Sequence, residues 1–203
     1  MYRFILLITV CLLFGGKVAC AQSETQARNI ITRTLQLVQH PGGVKLRFHA
    51  KALGLYSYAG EIIYKGNKSV TYTSDKTIWN DGYTAWVLNK KNNSVTILKP
   101  ENNQSNRIGD QLNLVKDCQL ELEAMGDFWK ITMKPKKKKG FFSKGEVLIS
   151  KKNYQPIQLR LKYLQVWITI RFLQFNTGEY PESLFIFDPQ KYPNTKIIDK
   201  RKK

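Results

Sequence analysis

Only two histidines, His40 and His49, occur in the 203 residues, and neither has a cysteine or carboxylate nearby at metal-ligand spacing. A sequence-local zinc site is therefore excluded. No G-x-S-x-G elbow, H-E-x-x-H helix or phosphate-cradling glycine loop occurs. The 15 acidic residues are scattered. Paired acids for glycoside chemistry are a spatial property, so the sequence leaves that pairing open. The chain otherwise reads as a non-enzyme that uses no cofactor. Cysteine is equally scarce. Of Cys11, Cys20 and Cys118, only Cys118 lies beyond the first 21 residues. That excludes a disulfide framework and leaves a strand thiol. No apolar run is long enough to cross a bilayer; the longest, residues 4–14, is too short.

That short run reads as a leader. Arg3 is a minimal positive start, 4–14 an apolar core, and Ala19-Cys20-Ala21 an A-x-A cleavage site. Cleavage after Ala21 makes residues 1–21 a signal peptide and 22–203 a single exported domain. A rival reading is acylation of Cys20, but Lys17 stands where a lipoprotein signal wants a leucine-like residue. The chain carries 33 Lys and Arg against 15 acids, a formal charge of +18, and the leader contains only Arg3 and Lys17 of these. Export turns that surplus away from nucleic acid and toward anionic lipid or acidic partners.

Residues 23–40 read as a helix. Ser23-x-x-Gln26 is a capping-box pattern, and Ala27, Ile30, Ile31, Thr34, Leu35 and Val38 make one apolar stripe. Pro41-Gly42-Gly43 ends it. From Val44 the period becomes two: Val44, Leu46, Phe48 and Ala50 against Lys45, Arg47, His49 and Lys51. Strands follow near 58–65, 68–74, 77–80, 84–89, 94–98, 118–123, 127–134, 145–151, 156–164, 166–175 and 184–187, with a short helix near 108–116. The spacing predicts an incomplete antiparallel β-barrel of ten or eleven strands, mainly β, with the amphipathic helix over its open face. Residues 77–88 hold the sharpest signal. Asp81-Gly82 between Trp79 and Trp86 predicts a hairpin whose large aromatics need a cover: a helix, a second sheet or a ligand. Lys136, Lys137, Lys138 and Lys139 read either as a solvated turn or as a patch facing a membrane or acidic partner.

The run Gly60-Glu-Ile-Ile-Tyr-Lys65, the strand ending in Tyr72, the segment Ile78-Trp-Asn-Asp-Gly-Tyr-Thr-Ala-Trp86 and the strand Val95-Thr-Ile97 resemble the periplasmic lipoprotein carrier family LolA. Gly126-Asp-Phe128 with Met133-Lys-Pro135, Leu184-Phe-Ile-Phe-Asp-Pro189 and Thr195-Lys-Ile-Ile-Asp199 extend the resemblance toward the C-terminus. One motif departs: the family's arginine after the lysine of its G-x-L-x-x-K strand is replaced here by Gly66.

The resemblance implies a periplasmic carrier, acting as a monomer, that shields acyl chains in an apolar cavity. It implies acylated lipoproteins as cargo, an inner-membrane ABC-type release complex as donor and an outer-membrane receptor as acceptor. The alternative is another lipid- or apolar-ligand-binding half-barrel of the envelope, of receptor or stress-sensor type. The expected cavity residues are Leu46, Phe48, Ile62, Tyr64, Val70, Tyr72, Trp86 and Leu88. The expected lid residues are Ile30, Ile31, Leu35 and Val38.

Overall fold

The computed structural model describes residues 22–99, 115–136 and 142–201. The leader, most of the 108–116 helix and Lys137 to Lys139 lie outside the described residues.

Helix α1, 22–38, follows its predicted stripe: Ala27, Ile30, Ile31 and Thr34 are buried. Twelve strands follow: β1 Val44–Ala52, β2 Tyr56–Lys65, β3 Lys68–Thr73, β4 Lys76–Asn80, β5 Ala85–Asn89, β6 Ser94–Leu98, β7 Cys118–Met125, β8 Phe128–Pro135, β9 Lys144–Ser150, β10 Pro156–Tyr163, β11 Val166–Thr177 and β12 Lys196–Asp199. They form one open sheet in the order β12-β6-β5-β4-β3-β2-β1-β11-β10-β9-β8-β7. The architecture is the expected incomplete barrel. Two antiparallel meanders, β1 to β6 and β7 to β11, meet where β1 pairs with β11, and β12 joins β6 in parallel.

The segment 184–187 departs from expectation. Glu182–Phe185 is a 3-10 turn, and a second one, Pro189–Lys191, follows. The alternation of Phe185 and Phe187 is real, but it serves packing: both rings are buried in a cluster with Ile63, Val70, Trp79 and Leu88. The twelfth strand lies instead at Lys196–Asp199.

Residues paired directly across neighbouring strands share a face of the sheet. Leu46 pairs with Ile62, Ile62 with Thr71, Thr71 with Ile78, and Ile78 with Val87. That row lies on the face where α1 packs. Lys45 pairs with Ile63, Ile63 with Val70, Val70 with Trp79, and Trp79 with Trp86. That row lies on the opposite face.

A bulge in β11 extends the helix face. Phe48 pairs with Phe172 while Arg47 pairs with Gln174, so Leu173 is the extra residue and is 63% exposed. Without it, period two would send Phe172 and Phe175 to opposite faces. With it, both rings pack around Leu46 and Val44.

Candidate functional site: the helix-bearing face of the sheet

The Asp81-Gly82 hairpin forms as its sequence predicts. Asp81 Oδ1 accepts hydrogen bonds from the backbone N–H groups of Tyr83 and Thr84 at 2.8 and 2.7 Å, and Gly82, at φ +94°, donates to Asn80 Oδ1 at 2.8 Å. Trp79 and Trp86 stand directly opposite each other on the face away from α1. Their cover is the chain's own C-terminal segment. The Trp79 ring lies 5.4 Å from Phe187 and 5.7 Å from Tyr192, and Phe187 stacks on Tyr192 at 5.4 Å. Lys65 Nζ ties that segment down by donating to Tyr180 O at 3.1 Å and pairing with Glu182 at 3.2 Å. Lys68 contacts the other Glu182 oxygen. Hydrogen bonds from Lys68 and Lys65 hold the Glu182 carboxyl below its ordinary range. The basic groups flanking Gly66-Asn67 thus serve the C-terminal cover.

The eight expected cavity residues consequently divide. Leu46, Phe48, Ile62 and Tyr64 lie on the helix face. Val70, Tyr72, Trp86 and Leu88 lie on the opposite face, packed in or against the cluster that Phe185 and Phe187 close. One surface cannot present all eight, because the pleat sends these two sets in opposite directions.

The helix face has two zones. In the first, α1 covers β7 to β9: Ala27, Ile30 and Ile31 pack with Cys118, Leu120, Ile131, Met133 and Ile149, and Leu35 lies against them. Val38 and Leu37 continue onto Val44, Leu46 and Phe175. The four expected lid residues therefore all face the sheet. Burial pushes the Cys118 thiol up. Polar anchors flank the helix. Arg28 donates to Cys118 O at 2.8 Å and to Val115 O at 3.4 Å, and pairs with Glu24 at 2.5 Å. On the other flank Arg33 donates to Tyr154 Oη at 2.7 Å, and Thr34 Oγ1 lies 2.9 Å from Tyr154 O.

The second zone is a strip of half-buried apolar side chains beside the helix: Phe48, Ile62, Ile78, Val87, Ile168 and Ile170. Phe48 sits opposite Gly60, where a Cβ would fall 3.2 Å from the ring and 2.6 Å from Tyr72 O. The glycine of the G-x-L-x-x-K motif thus gives the Phe48 ring room, and Tyr58 lies 6.1 Å from it. Burial drives the Tyr64 hydroxyl well above its usual range. Among the described residues no buried side-chain N or O atom lacks a hydrogen-bond partner. No group of three or more metal-ligating side chains occurs among them either. Such a surface can take up apolar chains. Ile78, Val87, Ile168 and Ile170 were missed in the sequence, although Val166-Trp-Ile-Thr-Ile-Arg-Phe172 alternates cleanly.

The family model described as "Outer membrane lipoprotein carrier protein LolA" matches residues 18–165. No curated protein matches the sequence. Among solved structures, an uncharacterized conserved protein from Thermus thermophilus superposes with a TM-score of 0.58 at 11% identity, covering 86% of this chain and 99% of that one. Lipoprotein LppX of Mycobacterium tuberculosis gives 0.49 at 13%, covering 78% and 99%. The Pseudomonas aeruginosa MucA/MucB complex gives 0.49 at 14%, covering 81% and 62%. The first of these supports the fold alone.

Proposed function

Since the chain belongs to the outer membrane lipoprotein carrier protein LolA family, we propose that it is a periplasmic carrier. It accepts the acyl chains of lipoproteins on its helix-bearing face and moves them from the inner toward the outer membrane. The observation that carries this reading is the half-buried apolar strip of Phe48, Ile62, Ile78, Val87, Ile168 and Ile170, which continues directly from the surface that α1 covers. Acylated lipoproteins are the cargo, an inner-membrane ABC-type complex the donor and an outer-membrane receptor the acceptor.

A carrier must release what it binds. A fully buried chain of about 14 methylenes gains about 11 kcal/mol, so two or three would reach or exceed the ceiling of about 20 kcal/mol for reversible binding. In this reading α1 supplies the counterweight. Lifting Ile30, Ile31, Leu35 and Val38 from the sheet costs about 6–8 kcal/mol of apolar burial. Loosening the Arg28, Arg33 and Thr34 contacts adds about 1 kcal/mol each. The helix and one acyl chain then compete on nearly equal terms, and returning α1 to the sheet drives release. Recognition comes from burial of apolar surface, so cargo identity is read through the acyl chains rather than through one protein sequence.

Gly66 at the family's arginine position favours a second reading, a half-barrel that binds a free lipid or other apolar ligand without passing on a lipoprotein. Native mass spectrometry of the protein purified from its own envelope separates the two. A bound acylated protein is the expected result. A free lipid alone supports the second reading, and the absence of any apolar ligand counts against both.

A further inference from the structure

The two rims of the sheet differ. At one, the Gly66-Asn67 turn is polar, the Asn80 to Tyr83 turn exposes the ring of Tyr83 but no leucine, and Lys65 and Lys68 are both paired with Glu182. At the other, the β1–β2 loop, Leu53-Gly54-Leu55, and the β10–β11 loop, Leu164-Gln165, stand side by side, because β1 pairs with β11 up to Ala52 opposite Ile168. Leu53, Leu55 and Leu164 are 59%, 84% and 77% exposed. Leu53 and Leu164 also hold left-handed backbone, at φ 55° and 43°, positions at which glycine or asparagine is the usual occupant. The loops therefore place leucine in water at a conformational cost.

Around these tips aromatic and cationic side chains are interleaved. Tyr56, Tyr58 and Tyr163 are all exposed, and Trp167 lies beside Tyr163 at the start of β11. Cations stand among them: Lys51 opposite Ser57, between Tyr56 and Tyr58, Lys162 opposite Trp167, and Lys136 just past the end of β8, with Lys144 opposite Lys162 across the β9–β10 pair. Arg160 and Lys144 lie over the Trp167 ring at 4.5 and 5.8 Å. Among the described residues Lys51, Lys136 and Lys162 join no ion pair, whereas Lys65 and Lys68 on the opposite rim both pair with Glu182. Protruding leucines with aromatics and unpaired lysines interleaved around them suit a bilayer interface: hydrocarbon takes the leucines, the headgroup boundary the aromatics and the anionic surface the cations. The leucines protrude, and a fluid bilayer accepts protrusions where a protein partner would need matching pockets.

We propose that this rim is a membrane-docking edge that inserts Leu53, Leu55 and Leu164 into a bilayer bearing anionic headgroups. The edge goes beyond the carrier reading and stands whether or not acyl chains are the cargo. The test is co-sedimentation of the full protein with phosphatidylglycerol-containing vesicles and with neutral phosphatidylcholine vesicles. The wild type should partition to the anionic vesicles, less so as salt rises. A Leu53→Asn, Leu55→Ser, Leu164→Asn variant should partition about tenfold more weakly. Asparagine suits left-handed backbone, so the fold should persist, which thermal melting checks. Tyr83→Ser, which removes an equally exposed apolar group from the opposite rim, should leave partition unchanged. Lys51→Gln with Lys162→Gln should flatten the salt dependence. The proposal is overturned if the wild type ignores anionic vesicles, if the leucine variant partitions like the wild type, or if the rim variants lose only a protein partner. Uptake of a soluble fluorescent fatty acid, measured without vesicles, should survive in the leucine variant; failure of that uptake in the wild type counts against the carrier reading alone.

Discussion

Replacing Phe185 by alanine asks whether the two faces of the sheet do different work. Phe185 has no exposed surface, and its ring completes the cluster of Ile63, Val70, Trp79, Leu88 and Val95. Truncation removes a large buried ring and leaves a cavity that paired strands cannot close. The cost is about 3–5 kcal/mol, a large share of the roughly 5–15 kcal/mol that holds an ordinary domain folded. With a urea dependence of about 2.5 kcal/mol per molar, the unfolding midpoint should fall by about 1–2 M. Phe185→Leu, which keeps most of the volume, should cost less than about 1.5 kcal/mol. Both variants should bind a fluorescent fatty acid with nearly wild-type affinity while folded, because the ring closes the face that the C-terminal segment already covers. If folded Phe185→Ala loses about tenfold or more in affinity while Ile170→Thr loses nothing, the faces have been assigned the wrong way round.

Ile170→Thr, on the half-buried strip, should weaken fatty-acid binding by about tenfold with a stability change of about 1 kcal/mol, read by titration and by urea unfolding. Arg28→Ala removes the donors to Cys118 O and Val115 O. It should cost about 1–2 kcal/mol and raise the binding of a hydrophobic dye as α1 loosens; unchanged dye binding would argue against a movable helix. Burial alone would raise the Glu146 carboxyl, but the hydrogen bond and charge of Lys144 and the charge of Arg160 outweigh it, so the group sits below its ordinary value of 4.5. A depressed carboxylate stabilises the fold above its unfolded pKa, and that contribution fades as pH falls through the folded one. Acid unfolding should therefore be shallower in Glu146→Gln, and an acid limb identical to wild type would refute the assignment.

Much of the fold was legible because each β element carries its own period. Val44 to Ala52 alternates apolar and basic residues along its length, and α1 keeps its stripe from Ala27 to Val38. Asp81-Gly82 declared its turn through the acceptor oxygen of Asp81 and the left-handed glycine. What failed was parity across turns. The three-residue β1–β2 loop pairs Leu46 with Ile62, even with even, so the sequence reading followed the face correctly that far. The two-residue turn at Gly66-Asn67 pairs Ile63 with Val70, odd with even, and the inward positions invert. Carrying even numbers onward to Val70 and Tyr72 therefore crossed to the other face. Trp79 and Trp86 carry the strongest aromatic signal of their strands, yet their smaller neighbours Ile78 and Val87 are the residues that look toward the helix side. The cover itself was hidden because Leu184 to Phe187 alternates like a strand, and only its position over an already paired sheet distinguishes a packed strap from a paired strand.

The central claim is that acyl chains meet the helix-bearing face and that the C-terminal segment seals the other. Incorporating a photo-reactive benzoylphenylalanine at position 48, and separately at position 86, tests this directly. Each labelled protein is illuminated in cells, and crosslinks to acylated lipoproteins are read by immunoblot and mass spectrometry. Crosslinks are expected from position 48, in place of Phe48 on the helix face, and none from position 86, in place of Trp86 beneath the C-terminal strap. Crosslinks from position 86 with none from position 48 would contradict the claim.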